Sequence, residues 1–125
     1  MDSYRVVPIN AVSAVTVDGD LDLESSRQLI SGLARDAAHK DLLLDFRSVP
    51  TSFTYRDIYK VVLLISEQGA WSENRLAVLD DYDVEFEKTQ FMEAAAQETG
   101  LQMRAFVDHD AAVAWLEAWA SRHGE

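Results

Sequence analysis

The sequence predicts an α/β domain with a mixed, mostly parallel sheet and an edge hairpin. Two observations support this fold class. The chain opens with a pair of β-rich segments, and short apolar runs then alternate with segments whose apolar residues recur at helical spacing. Such alternation is typical of strands joined by crossover helices. The predicted order is β-β-α-β-α-β-α-β-α, which gives four to five strands and about four helices.

The first part of the chain predicts a hairpin and a helix. β-branched and aromatic residues indicate strands from Tyr4 to Ile9 and from Val12 to Val17. From Leu23 to Ala38 the apolar residues fall on one helical face. Asp22 or Ser25 would cap this helix, because short polar side chains accept hydrogen bonds from the first free N–H groups.

A buried strand and a second helix follow. The apolar run from Asp41 to Phe46 is typical of a central strand that is covered on both faces. From Tyr55 to Gln68 the pattern is helical, and Gly69 lies where a glycine commonly ends a helix. The inward face of this helix is predicted to contain Ile58, Val61, Val62 and Ile65.

The second half repeats the strand–helix pattern twice. A short buried strand is predicted from Leu76 to Leu79, and a helix from Val84 to Thr99. Alternating apolar residues from Leu101 to Val107 predict the last strand. A final helix is expected from Asp108 to Arg122, with Asp108 or Asp110 as its N-cap.

The predicted topology indicates where a partner would bind. The loops after the last three strands leave their carboxyl ends, and these ends gather at the edge where open α/β sheets usually bind ligands. We therefore expect one binding edge. Its candidate residues are Asp45, Arg47, Ser52, Thr54, Arg56, Asp80, Tyr82, Asp108 and His109.

Length and charge restrict the classes of function. The 125 residues are expected to form one domain, residues 1–125. There are 22 acidic residues against 11 basic ones, which gives a formal net charge of -11. The basic residues are scattered singly, so we do not expect binding to nucleic acid, whose phosphates would be repelled.

The sequence predicts a cytoplasmic protein. Cysteine is absent, which excludes disulfides, thiol catalysis and cysteine–metal sites. The first residues lack the basic and apolar pattern of a signal peptide. The longest apolar run, from Val61 to Ile65, is far shorter than the roughly 20 residues of a membrane crossing.

We predict no catalytic site, metal or cofactor. The sequence has neither a nucleophile elbow nor a glycine-rich dinucleotide turn. The acidic cluster that begins at Asp80 and Asp81 is expected to complement a helix N-terminus. A divalent ion held by these two residues, joined by Asp45 or Asp108, is the alternative that the pattern leaves open. The acidic residues from Asp18 to Glu24 are spaced like the start of a calcium loop. The glycine at the sixth position and the glutamate at the twelfth position of such a loop are missing, so we expect turn and capping roles instead.

The segment "LLLDFRSVPTSFTYRD" joins the predicted central strand to the next helix. A phosphate-binding loop needs glycines so that backbone N–H groups can converge, and this loop has none. Thr54 followed at the third position by Asp57 is close to a capping box. We therefore predict that Thr54 caps the helix.

The chain resembles a known class of domains. Asp41 to Arg56 is similar to the strand–loop–helix of STAS domains, found in anti-sigma-factor antagonists and sulfate-transporter tails. The C-terminal half resembles the bacterial SpoIIAA-like family more closely. The residues that carry this second resemblance are Phe91, Gly100-Leu101, Phe106-Val107-Asp108 and Ala114-Trp115-Leu116.

The resemblance implies a SpoIIAA-like fold and regulation through protein contact. In the antagonists the loop after the central strand ends in Asp-Ser-Ser-Gly, and a partner kinase phosphorylates a serine there. This chain has Phe53-Thr54-Tyr55-Arg56 instead, so Thr54 stands where the acceptor serine would be. Thr54 is thus a candidate phosphorylation site, although capping is the role that we expect.

Two functions follow from these observations. The first is a non-enzymatic regulatory or protein-interaction module in a bacterial cytoplasm, with an unidentified protein partner; homodimerisation is left open. The alternative is a SEC14-like domain that binds a small ligand or lipid. A ligand binder needs a sizeable apolar pocket between sheet and helices, whereas a regulatory module needs a filled core and a surface patch.

Overall fold

The computed structural model describes residues 4–9, 12–17, 22–47, 54–81 and 86–123. These residues form one five-stranded sheet with four helices packed on it. In chain order the elements are β1 (Tyr4–Ile9), β2 (Val12–Val17), α1 (Leu23–Asp36), β3 (Asp41–Asp45), α2 (Tyr55–Gln68), β4 (Arg75–Leu79), α3 (Phe86–Glu98), β5 (Gln102–Phe106) and α4 (His109–His123).

The strands lie in the sheet in the order in which they occur in the chain. β1 pairs antiparallel with β2, and β2 to β5 are parallel neighbours. Right-handed crossovers between strands that are added in one direction place every connecting helix on the same face. Accordingly, α2 packs between α1 and α3, while α4 packs on the other face, against β2 to β5. The predicted fold class is confirmed.

The sheet separates two apolar cores. Neighbouring residues of β3 show this separation, because successive side chains of a strand point to opposite faces. Leu42 and Leu44 lie in the larger core, beneath α1, α2 and α3. Leu43 lies in the smaller core, where it shares the space beneath α4 with Leu79 and Leu116. Burial on both faces explains why the sequence of β3 is a continuous apolar run.

The helix boundaries follow from local chemistry. Asp22 caps α1, since its Oδ1 accepts a hydrogen bond of 2.7 Å from the backbone N–H of Ser25. Thr54 and Asp57 form the predicted capping box of α2. Gly69 ends α2 with φ of 68°, in the left-handed region that glycine adopts without strain. The structure therefore confirms three capping predictions.

The apolar pattern of the sequence predicts that Leu43, Val62, Phe91 and Leu116 are buried, and the structure confirms three of the four. Leu43, Val62 and Leu116 are almost completely buried. Phe91 is only half-buried, because it lies on the outer side of α3, where its ring contacts that of Tyr55 edge-on at a centroid distance of 5.0 Å. Phe91 and Met92 are consecutive, so their side chains point in different directions from α3. Only that of Met92 points fully into the core.

A buried carboxylate organises the edge where the parallel strands begin. Asp41 Oδ1 accepts hydrogen bonds from the backbone N–H of Arg75, at 3.0 Å, and from the side-chain amide of Asn74, at 3.1 Å. These bonds fix the start of β4 beside the start of β3. Trp71 is buried just before them and donates its Nε1–H to the carbonyl of Ala37 at 3.0 Å. The polar groups of Asp41, Asn74 and Trp71 at this edge are therefore used to hold the fold together.

Within the described residues, no helix has both the length and the apolar character required to cross a membrane.

Candidate functional site

The carboxyl ends of three parallel strands lie side by side. The backbone N–H of Phe46 donates to the carbonyl of Leu79 at 2.9 Å, and that of Asp80 donates to the carbonyl of Phe106 at 3.0 Å. These bonds continue the strand pairing by one residue beyond the strand ends. As a result, Asp45 at the end of β3, Asp80 directly after β4 and Asp108 shortly after β5 all lie at one edge of the sheet.

The sheet divides this edge into two sides. Asp45 lies two residues after Leu43 in β3, so its side chain points to the same face of the sheet. This is the α4 side, where the charge of His109 acts on Asp45. Asp80 directly follows Leu79, whose side chain points to the α4 side, so the side chain of Asp80 points to the opposite face. There, on the side of α1, α2 and α3, it contacts Thr89. The candidate residues thus share an edge but belong to two separate clusters.

Asp45 and Arg47 form a two-pronged ion pair on the α4 side. The Arg47 Nε donates to Asp45 Oδ1 at 3.0 Å, and its Nη2 donates to Oδ2 at 2.9 Å. The backbone N–H of Arg47 also donates to Oδ1 at 3.0 Å. Paired hydrogen bonds of this kind fix the guanidinium in one orientation. The pair therefore closes the turn that follows β3.

The ion pair determines the protonation state of Asp45. Burial raises the pKa of its carboxyl, but the hydrogen bonds and charge of Arg47 and the charge of His109 outweigh burial, so that the pKa lies below its ordinary value. The hydrogen bond to Asp45 in turn raises the pKa of Arg47. A general base works best when its pKa is near the working pH, so a paired Asp45 is poorly suited to that role.

Asp80 is the centre of the second cluster. Its Oδ2 accepts a hydrogen bond of 3.0 Å from the Thr89 hydroxyl, and its Oδ1 accepts one of 2.8 Å from the backbone N–H of Asp81. Thr89 lies near the start of α3 and is buried. The cluster therefore ties the end of β4 to α3.

Thr54 and Arg56 lie at the exposed start of α2. The Thr54 hydroxyl accepts a hydrogen bond of 3.1 Å from the backbone N–H of Asp57, whose carboxylate accepts one of 3.2 Å from the N–H of Thr54. The hydroxyl is thus engaged in capping. Both residues are exposed, and Arg56 stands on the first turn of the helix.

Asp108 and His109 begin α4. Asp108 is the N-cap, because its Oδ2 accepts a hydrogen bond of 3.3 Å from the backbone N–H of Ala111. The His109 Nδ1 lies 3.4 Å from a carboxylate oxygen of Asp110. Two further candidates from the sequence, Ser52 and Tyr82, lie outside the described residues.

The carboxylates of this edge do not converge in the way that a metal site requires. Among the residues that the structure describes, no three His, Asp or Glu side chains are grouped closely enough to hold an ion. The split of Asp45 and Asp80 between the two faces of the sheet accounts for this separation.

An exposed apolar stripe runs along the outer side of α2. Tyr55, Tyr59 and Leu63 follow one another at intervals of four residues and are 46%, 41% and 36% exposed. Residues four apart lie on the same side of a helix, so the three side chains form one surface. Arg56 and Lys60, both exposed, flank it with positive charge. We call these five residues the α2 stripe.

The α2 stripe was missed in the sequence, where only Arg56 was a candidate. The helical period of α2 directs Ile58, Val61, Val62 and Ile65 inward. Two tyrosines and a leucine then remain on the polar side of an amphipathic helix, where charged residues are usual. Large apolar residues on the outer side of α2, in addition to those that fill its inner face, were the feature of the sequence that could have revealed the stripe.

An apolar cavity of about 100 Å³ lies beneath α2, between the sheet and the three helices on that face. We call it the α2 cavity. Trp71, Leu33 and Ile65 line the end near the amino edge of the sheet. Polar side chains line the end near the carboxyl edge, and they are Ser26, Asp80, Lys88 and Thr89.

The size of the α2 cavity limits its occupants. An apolar cavity of roughly 150 Å³ in another protein binds benzene or xenon, so the α2 cavity has space for about one small ring. The core beneath α2 is therefore not completely filled, but the space in it is well below the roughly 300–1,000 Å³ that is usual for ligand pockets.

The strand order also affects where ligands are expected. Open α/β sheets bind ligands in the crevice where the strand order reverses and helices move to the other face. In this sheet the order runs without reversal from β2 to β5, and α1 to α3 share one face. The α2 cavity accordingly lies beneath a helix and not in a crevice between strands.

A comparison of whole structures identifies the fold. An uncharacterized protein from the DUF3478 family, from Shewanella loihica PV-4, has a SpoIIAA-like fold and a solved structure that matches this one. The two share 19% sequence identity and a TM-score of 0.60, with 90% of this chain and 91% of the other covered. This chain has a SpoIIAA-like fold. Identity at this level supports the fold alone.

Comparisons of sequence found no match. No protein-family model matches the chain. No curated protein matches it either. The SpoIIAA-like fold that the C-terminal half predicted is nevertheless confirmed by the structural match, which extends over the strands and helices of both halves.

Proposed function

We propose that this chain is a non-enzymatic regulatory module of the STAS-like class that acts in a bacterial cytoplasm by contact with a protein partner. The α2 stripe is the observation that carries the proposal. Surfaces that bind proteins are enriched in tyrosine and arginine, and the stripe combines two tyrosines, an arginine and a leucine on one helix.

The charge of the stripe indicates the chemistry of the partner. The whole chain carries a net charge of -11 and repels other acidic proteins at long range. Arg56 and Lys60 place two exposed positive charges beside Tyr59. The partner surface that fits best is therefore apolar at its centre, where the tyrosines and Leu63 pack, and acidic at its rim.

The start of α2 connects the stripe to the candidate binding edge. Thr54 caps the helix, and Tyr55, the first residue of the stripe, follows it directly. A partner seated on the stripe would therefore reach the carboxyl edge of the sheet, where α2 begins. The edge residues then act as the rim of a contact surface, without a catalytic step.

A capture experiment with matched variants tests the proposal. Tyr59→Ser with Leu63→Ser removes the centre of the stripe, and Val6→Ser with Val7→Ser removes two exposed apolar residues of β1 as a control. Each tagged chain is purified from native cells, and its fold is checked by circular dichroism. We expect a protein that co-purifies with the wild type and the β1 variant and is lost from the α2 variant. Equal capture by all three chains would contradict the proposal.

A further inference from the structure

The α2 cavity lies on the other side of the same helix from the stripe. Ile58, Val61 and Ile65 line it from α2, and Leu44 and Val78 line it from the sheet. Close-packed cores leave few voids larger than one water molecule, because each void forfeits contacts between its walls. An apolar cavity of about 100 Å³ in a core of this size is therefore a candidate binding site.

The two ends of the α2 cavity differ in polarity. At one end the wall consists of buried apolar groups, among them Trp71 and Leu33. At the other end lie Asp80, Lys88 and Thr89, and the Thr89 hydroxyl donates a hydrogen bond of 3.0 Å to the Asp80 carboxylate. An occupant would need an apolar body and one polar tip.

The charges at the polar end select the kind of tip. An anionic tip would meet Asp80, and a cationic tip would meet Lys88, so each has a like charge close by. A neutral hydroxyl can donate to a carboxylate and accept from an ammonium group. Met92 also lines the cavity, and its sulfur provides a favourable contact for an aromatic ring.

We propose that the α2 cavity is a binding site for a small neutral aromatic alcohol of the size of phenol. The ring lies between the sheet and the inner side of α2, and the hydroxyl lies at the end formed by Asp80, Lys88 and Thr89. This site is separate from the α2 stripe, and its occupation does not depend on the protein partner of the proposed function.

Titration with two probes of similar shape tests the ligand class. Phenol and toluene differ only in a hydroxyl and a methyl group, so their comparison isolates the polar tip. Binding is followed by two-dimensional NMR of the leucine, isoleucine, valine and methionine methyl groups. We expect saturable shifts at Leu44, Val61 and Met92, and affinity for phenol several-fold above that for toluene. Saturation by neither probe would overturn the site, and equal affinities would overturn the role of the polar end.

Neighbouring residues of β3 provide a matched pair of variants. Leu44→Phe places a larger side chain in the α2 cavity, whereas Leu43→Phe makes the same change in the core beneath α4. We expect Leu44→Phe to weaken phenol binding by about tenfold or more and Leu43→Phe to leave it nearly unchanged. Both variants are first checked for cooperative thermal unfolding. If Leu43 does not tolerate phenylalanine, Leu43→Met is the control. Equal affinity of both variants for phenol would overturn the location of the site.

Discussion

Thr54 provides the clearest test of how one residue acts at the candidate edge. Its hydroxyl completes the capping box of α2 with Asp57. Thr54→Ala should lower the free energy of unfolding by about 1 kcal/mol, because a backbone N–H loses its partner. Thr54→Asp should be tolerated, since aspartate is an equally good cap and its charge suits a helix N-terminus. Urea denaturation of the three proteins measures the difference.

Phosphorylation of Thr54 makes a different prediction. A phosphate adds nearly two negative charges beside the α2 stripe, so the alanine and aspartate variants should then affect partner binding in opposite directions. Capping alone predicts the same partner binding in both. Phosphopeptide mass spectrometry of protein from native cells decides directly between the two roles, and we expect no phosphate at Thr51, Ser52 or Thr54.

Asp45 should make stability depend on pH. Its folded pKa is lower than the ordinary value, so its ion pair with Arg47 stabilises the fold above the unfolded pKa of about 4 and is lost as the pH falls through the folded pKa. Asp45→Asn should therefore be less stable than the wild type at pH 7, and the difference should shrink in acid. Thermal unfolding between pH 7 and pH 3 measures the trend.

The control for this trend removes the same charge elsewhere. Asp36 is more exposed than Asp45, lies 3.6 Å from Arg35 and accepts a hydrogen bond of 3.4 Å from the Tyr4 hydroxyl, which an asparagine oxygen can also accept. Surface ion pairs of that kind contribute little. A difference from the wild type that is as large for Asp36→Asn as for Asp45→Asn would assign the effect to net charge and not to the pair at the edge.

At the scale of the elements, Gly69 determines how α2 ends. Its φ of 68° lies in the left-handed region, and a Cβ at this position would meet no heavy atom within 4 Å. Gly69→Ala should therefore cost about 1–2 kcal/mol through backbone strain alone. Gly69→Asn should cost less, because asparagine tolerates this conformation better. Equal losses for both variants, measured by urea denaturation, would point to a steric cause instead.

The helices and strands were largely predictable because their signals are local. The period of apolar residues, the caps at Asp22 and Thr54 and the glycine after α2 act over a few residues each. The strand ends moved by one residue, as for Phe46, which pairs with Leu79 by a backbone hydrogen bond but lies outside β3. Such small shifts are expected, since the ends of an element depend on its neighbours in space.

The candidate site was less predictable, because it depends on how distant elements pack. The predicted strand order correctly places Asp45 and Asp80 at one edge of the sheet. Side chains alternate between the two faces along each strand, however, and the two carboxylates point to opposite faces. The α2 cavity depends on the spacing of three helices over two strands, and no single segment contains that information. Charges and motifs in the sequence consequently indicated the edge and not the space beneath α2.

At the scale of the whole molecule, the sheet should divide the stability of the fold into two nearly independent parts. Leu43 belongs to the core beneath α4, and Ile65 belongs to the core beneath α2. Leu43→Ala should cost about 2–5 kcal/mol and Ile65→Val about 0.5–1.5 kcal/mol. The double variant should lose the sum to within about 0.5 kcal/mol, because the sheet separates the two sites and they share no core.

The comparison pair lies within one core. Leu116 packs beneath α4 in the same cluster as Leu43, so the loss of one side chain changes the space that the other must fill. Leu43→Ala combined with Leu116→Val should therefore deviate from additivity by about 0.5 kcal/mol or more. Urea denaturation of the single and double variants provides both cycles. If the pair on opposite faces were as strongly coupled as the pair within one core, the sheet would transmit strain between its faces, and a ligand in the α2 cavity could then alter the packing of α4.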